Sequence, residues 1–299
     1  MKILIKLILI KLIIVLSILS MFSATADASI MNNLGVVLKL NNSYILYADQ
    51  ELPFIDKANR TMFPLSIARD LMGFKVAFDP IKGKADIIFD VTKAQVMINN
   101  KQAYINDKPV VLDTPVIMRN NSLMVPARFI SQICNTPLEW DAKHHVLILK
   151  NDKFLNAYSL THLDEMQNLD ESFQDKIIPQ KVEFVEYKNP DENRINMQIL
   201  NASDNVIDKE FLHMNCFYYT NDRVAGGDMS LGFSSGRGTG VSDRRGYNPD
   251  AINANSTYTI HSNTWDGKNK HIFKSHHFIF NDNIVKYVIC NYFKITGFN

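Results

Sequence analysis

Cysteine is scarce in this chain. Cys134, Cys216 and Cys290 are the only three among 299 residues, too few for a disulfide framework. At most one pair can form within the chain, and the third thiol stays free or pairs elsewhere. Charge of one sign is also missing. Lysine and arginine balance aspartate and glutamate to a net +1, so no global field draws the chain to nucleic acid or to an anionic membrane. After residue 30 there is no apolar run long enough to span a bilayer. Two catalytic signatures are absent as well: the zinc helix His-Glu-x-x-His and the Gly-Lys-Ser/Thr end of a phosphate loop. What is present is ordinary globular material. Hydrophobic residues make up 46% and charged residues 21%, enough to bury a core in about two domains.

The first 28 residues form a targeting signal. Lys2, Lys6 and Lys11 precede an apolar run from Leu12 to Phe22 that only Ser17 and Ser20 interrupt. Ala24-Thr25-Ala26 and Ala26-Asp27-Ala28 follow. A basic start, a short apolar stretch and small residues at an A-x-A site spell a secretory leader, cleaved after Ala26 or Ala28. The alternative is an uncleaved anchor. No cysteine stands near the cleavage site, which argues against a lipoprotein. A secreted or cell-surface location is therefore expected, with membrane contact only through this segment if it is retained.

An internal repeat follows at an offset of 62 residues, Pro53 and Pro64 recurring as Pro115 and Pro126. Each proline pair brackets two short apolar runs and a polar turn, which reads as a hairpin. A short one-sided helix comes next. Ile67 and Leu71 recur as Phe129 and Ile133, and Gly73 and Asn135 supply the residue types that tolerate a left-handed helix end. Phe78-Asp79 and Trp140-Asp141 then open a second hairpin. Ile67, Leu71, Phe78, Phe129, Ile133 and Trp140 are the expected core of the two units, about 34–90 and 96–150.

The string from Asn59 through Pro64 to Phe78-Asp79, and its echo from Asn121 through Pro126 to Trp140-Asp141, resembles the copper amine oxidase N-terminal-like, or stalk, domain over residues 29–150. The family often writes arginine two residues after the proline; Arg128 matches and Ser66 does not. The resemblance implies a non-catalytic spacer or binding unit, of the kind associated with Gram-positive-type envelopes. Its partner would be a cell-wall polysaccharide or another envelope protein, and no cofactor or metal is expected. It does not imply amine oxidation. The oxidases carry their quinone tyrosine in a Thr-x-x-Asn-Tyr-acid motif of a separate, larger domain. Here Asn291-Tyr292 stands with Val288 and Phe293 in place of the threonine and the acid, and reads as part of a strand.

Residues 151–180 read as a linker with an amphipathic helix from Leu155 to Phe173, ended by Pro179. Residues 181–299 then alternate apolar and polar positions in six or more short strands, which predicts a mainly-β, sandwich-like domain. The fold class expected is thus an α+β module of antiparallel sheet wrapped on short helices, in two repeats, followed by this β domain. Cys216 and Cys290 lie in apolar strands and could meet.

The candidate ligand site is the long Gly/Ser/Arg-rich stretch from Gly226 to Pro249. Arg237, Arg244 and Arg245 could contact anions, and Asp228 and Asp243 stand close by in sequence. A mobile surface loop is the competing reading. His261, His271, His276 and His277 cluster in sequence, but strand alternation scatters neighbours to opposite faces, so they read as exposed. His144-His145 reads as a solvated turn. Two other functions stay open: a cell-wall-modifying hydrolase with its site in the C-terminal domain, and assembly through exposed sheet edges.

Overall fold

The computed structural model describes residues 35–48, 52–154, 176–185, 194–208, 213–220, 223–225, 251–263, 272–274, 277–280 and 283–294. The leader, the helix expected at Leu155 to Phe173 and the stretch from Gly226 to Pro249 lie outside them.

The framework is a seven-stranded sheet. It contains β1 (Val37–Leu40), β2 (Ser43–Tyr47), β12 (Leu138–Asp141), β13 (Val146–Leu149), β17 (His213–Thr220), β18 (Arg223–Ala225) and β24 (Tyr287–Lys294), in the order β12-β13-β1-β2-β24-β17-β18. β1 pairs parallel with β13; the other pairings are antiparallel. Described residues on both faces are buried, and alternation decides which residue goes where. Leu147, Leu38, Ile45 and Ile289 are register partners in one row. They face one core, while Val146, Val37, Tyr44, Leu46, Val288 and Cys290 face the other.

The first core holds the helices. α1 (Leu65–Leu71) and α2 (Ala127–Cys134) follow the strands β4 (Thr61–Pro64) and β11 (Ser122–Pro126). Pro64 and Pro126 are the N-caps, one residue before the first helical turn, and neither helix has a side-chain cap. Packing therefore holds the helices in place. Ile67, Leu71, Phe129 and Ile133 are all buried here. α2 ends on Asn135 in the left-handed conformation at φ 50°, and Gly73 takes φ 77° just beyond α1. β4 and β11 pair with each other and with β3 (Phe54–Ile55) and β10 (Ile117–Arg119) in a four-stranded sheet.

A five-stranded meander closes this core. It runs β5 (Lys75–Asp79), β6 (Lys84–Phe89), β7 (Thr92–Met97), β8 (Gln102–Ile105) and β9 (Lys108–Val111). Its inner face carries Ala85, Ile87, Phe89, Ala94, Val96 and Ala103, all buried. The last three strands are additional to the hairpin expected there. Their turns use Asp90, Asn99, Asn106 and Asp107 at positive φ. Asparagine and aspartate tolerate that region, so few glycines are needed.

Phe78 and Trp140 correct the expected core. Each is 38% exposed. They pair with the buried Ala85 and Leu147, so they point inward, but β5 and β12 are edge strands. With no neighbour on one flank, the rings stay half open.

The second core lies between the other face of the seven-stranded sheet and a three-stranded sheet of β14 (Ile177–Val185), β15 (Arg194–Asn201) and β20 (Ser256–Asn263). Ile178, Val182, Met197 and Ile199 pack here. The sandwich is thus built partly from the N-terminal half. The boundary expected at residues 151–180 does not divide the sheet, because β24 lies between β2 and β17. Pro179 sits within β14, where the register slips between Pro179 and Lys181. A bulge is one of the few places a sheet accepts proline. Short pairs complete the described elements: β16 (Ile207–Asp208) with β19 (Ala251–Ile252), and β22 (His277–Phe280) with β21 (Ile272–Lys274) and β23 (Asn283–Ile284).

Candidate functional site

Three polar arrangements stand out among the described residues. The first joins α1 to the C-terminal strand. Asp70 is a helix residue with a side chain only 4% exposed. Arg69 donates from Nε to its Oδ1 at 2.7 Å, Tyr287 donates to its Oδ2 at 3.3 Å, and Lys286 Nζ lies 3.5 Å from that same oxygen. Tyr47 and Tyr219 crowd the Tyr287 ring at 6.0 and 5.6 Å between centroids. Burial first, and then the Asp70 charge, push the Tyr287 hydroxyl well above its ordinary pKa. Burial does the same for Tyr47. Neither phenol is a base or nucleophile near neutral pH. This is a paired, desolvated anchor rather than a reaction centre.

The second arrangement is the turn after β12. Asp141 Oδ1 accepts from the backbone N–H groups of Lys143 and His144, and Oδ2 lies 2.6 Å from His144 Nδ1. Asp79 accepts in the same way from Ile81 and Lys82. Aspartate at the head of a turn closes it through its own carboxylate. Burial alone would raise the Asp141 pKa; the hydrogen bonds from His144 and Lys143 outweigh it and hold the carboxyl below the usual range. His144 is therefore folded onto Asp141 and mostly buried rather than solvated. The His145 ring lies tilted beside Trp140, 5.9 Å between ring centroids.

The third is a shallow depression of about 150 Å³ on the outer face of the meander. Lys84, Gln95, Val96, Met97, Asn100, Gln102 and Tyr104 line it. Gln102 Nε2 donates to the Tyr104 hydroxyl at 3.1 Å, and Asn100 Oδ1 accepts from the Gln102 backbone N–H at 2.8 Å. Sequence reading missed this site. Its signal was the alternation of Gln95 with Ala94 and Val96, and of Gln102 and Tyr104 with Ala103.

The residues singled out from sequence divide as follows. Arg237, Arg244, Arg245, Asp228 and Asp243 lie outside the described residues, as do His271 and His276. His261 and His277 fall in β20 and β22. Cys134 is a buried free thiol on α2, pushed up to about 12 by burial, and a thiol that rarely ionises is inert. The register sets Cys216 opposite Cys290 across β17 and β24. Asn291 and Tyr292 lie in β24. Among the described residues no three of His, Cys, Asp or Glu gather as a metal site, and no helix is long and apolar enough to cross a membrane.

The comparison that bears on identity concerns the segment carrying both helices and the meander. Residues 39–149 match the copper amine oxidase N-terminal domain. No curated protein matches the chain. The amine oxidase N-terminal domain is a non-catalytic, stalk-like module in its family. Its matched limits run from β1 through β13, so they include the strands that β24 extends. In this chain the module's own sheet edge, β2, is completed by the C-terminal half.

Proposed function

We propose that the chain is exported and works without catalysis at the bacterial cell envelope, as a spacer that also binds an envelope component. The observation that carries this reading is the match of residues 39–149 to a stalk-like module, set in a sheet that continues into the C-terminal half. The remaining chain thereby extends the scaffold. The leader-like pattern of Lys2, Lys6, Lys11, Leu12 to Phe22 and Ala24-Thr25-Ala26 supports export.

We also propose that the module is a tandem duplication. Pro64 with α1 and Pro126 with α2, each preceded by a hairpin, support it. So do the matching aspartate turns at Asp79 and Asp141. Cell-wall polysaccharide or another envelope protein is the proposed partner.

Cell fractionation tests the location. The mature chain, shortened by its first 26 or 28 residues in mass spectrometry, is expected in the envelope or the medium. Full-length protein confined to the cytoplasm overturns the proposal.

A further inference from the structure

The outer face of the meander offers a site whose chemistry can be named. The five strands align one exposed residue each in a row: Ala77, Asp86, Gln95, Tyr104 and Pro109 are successive register partners. The depression takes Gln95 and Tyr104 from this row, together with the register partners Lys84 and Met97. Two partly exposed side chains with large apolar surfaces line it. Tyr104 is 39% exposed and Met97 is 44% exposed, although both sit on well-formed strands. Three neutral amides surround them, Gln95, Asn100 and Gln102. A planar ring beside amides that both donate and accept matches one kind of ligand surface. It suits a pyranose, which has a flat apolar C–H face and a rim of hydroxyls that also donate and accept.

Electrostatics narrows the class. Lys84, the one cation among the lining residues, lies 3.1 Å from Asp86 Oδ1, so the pair brings no net charge. The lysines of the adjacent row, Lys75 and Lys93, flank Ile88 and do not line the depression. The site is also preorganised. Gln102 holds the Tyr104 hydroxyl, and Asn100 holds the Gln102 backbone, so little order remains to be imposed on binding. The neighbouring edge is closed to strand addition by Lys108 and Pro109 in β9, which leaves the face as the surface on offer.

We infer that this face binds an uncharged polysaccharide, with one pyranose ring against Tyr104 and its hydroxyls paired to Gln95, Asn100 and Gln102. The inference deepens the envelope reading and rests on it for biological sense, but its chemistry can be tested apart.

The experiment is calorimetric titration of the full chain with three probes: oligomers of N-acetylglucosamine, oligomers of glucose, and polygalacturonate. Binding of at least one neutral series is expected, with polygalacturonate weaker. Tyr104→Ala lowers that affinity by about tenfold or more, as loss of a central aromatic contact does. Tyr104→Phe keeps the ring and costs less. Gln95→Ala, which leaves the Gln102–Tyr104 and Asn100–Gln102 hydrogen bonds in place, weakens binding at an unchanged melting temperature. No binding of either neutral series, undiminished binding by Tyr104→Ala, or a preference for polygalacturonate overturns the inference. Two further outcomes separate it from the envelope reading. If Tyr104→Ala still binds isolated envelopes like the parent chain, the site fails and the location stands. If the parent binds neutral oligomers through Tyr104 but stays in the cytoplasm, the location fails and the site stands.

Discussion

The Tyr287 hydroxyl donates to Asp70 Oδ2 at 3.3 Å across 217 positions of sequence. One residue belongs to the helix of the matched module and the other to the last described strand. With Lys286 Nζ on the same oxygen, the contact fastens β24 into the sheet that β1 and β2 begin. Tyr287→Phe removes this hydrogen bond to a buried carboxylate and should cost about 1.5–3 kcal/mol. Asp70→Ala should cost at least as much, because Lys286 and Tyr287 lose their shared acceptor. Urea unfolding monitored by circular dichroism measures both.

The helix and edge positions predict a contrast. Phe129 is fully enclosed on α2, so Phe129→Ala should cost about 3–5 kcal/mol. Phe78→Ala and Trp140→Ala remove rings that are half open at β5 and β12, and each should cost about 1 kcal/mol, near the centre of ordinary point-mutant effects. Thermal melts of the three variants rank them.

Asn201 is a buried hub in the C-terminal half. Its Nδ2 lies within 2.7–3.1 Å of the carbonyls of Asn205, Ile252 and Asn253, and its Oδ1 accepts from Ser203 N and Oγ. Asn201→Leu leaves the buried Ile252 carbonyl without this donor and removes the clasp on the turn at Ser203 and Asn205. A loss of about 1–3 kcal/mol is expected, together with faster amide exchange at residues 202–205, whose turn Asn201 fixes.

Acid should weaken the turn after β12. The Asp141 carboxyl is held below its unfolded pKa, so the folded state binds its proton less readily than the unfolded chain. Its stabilising contribution is full above the ordinary aspartate value of about 4 and is lost as pH falls through the lower folded value. Asp141→Asn should flatten the acid limb of a stability-against-pH curve without changing the neutral limb's shape. A limb that stays equally steep contradicts this assignment.

Local patterns carried much of the fold. Ile67, Leu71, Phe129 and Ile133 repeat at helical spacing and share one core. Met197 and Ile199, two apart across Gln198, face the other core. Strands β7–β9 were harder to read because two of their inward positions, Ala94 and Ala103, are small and their outward ones are polar or mixed. Asn106-Asp107, a two-residue turn of the kind that favours tight hairpins, was the available clue. The insertion of β24 between β2 and β17 has no local signal, since periodicity fixes a strand's face and not its neighbour. The depression at Tyr104 is hidden for the same reason: Gln95 and Tyr104 become partners only through register.

Native-state hydrogen exchange on the full chain tests most directly whether both halves form one scaffold. Leu46 and Val288 are register partners in β2 and β24. Their amides, with those of α2, are predicted to exchange through a single global opening of the same free energy, and the N-terminal segment expressed to residue 154 alone should lose that protection. Separate openings for β2 and β24, or full protection of the isolated segment, would contradict a shared sheet.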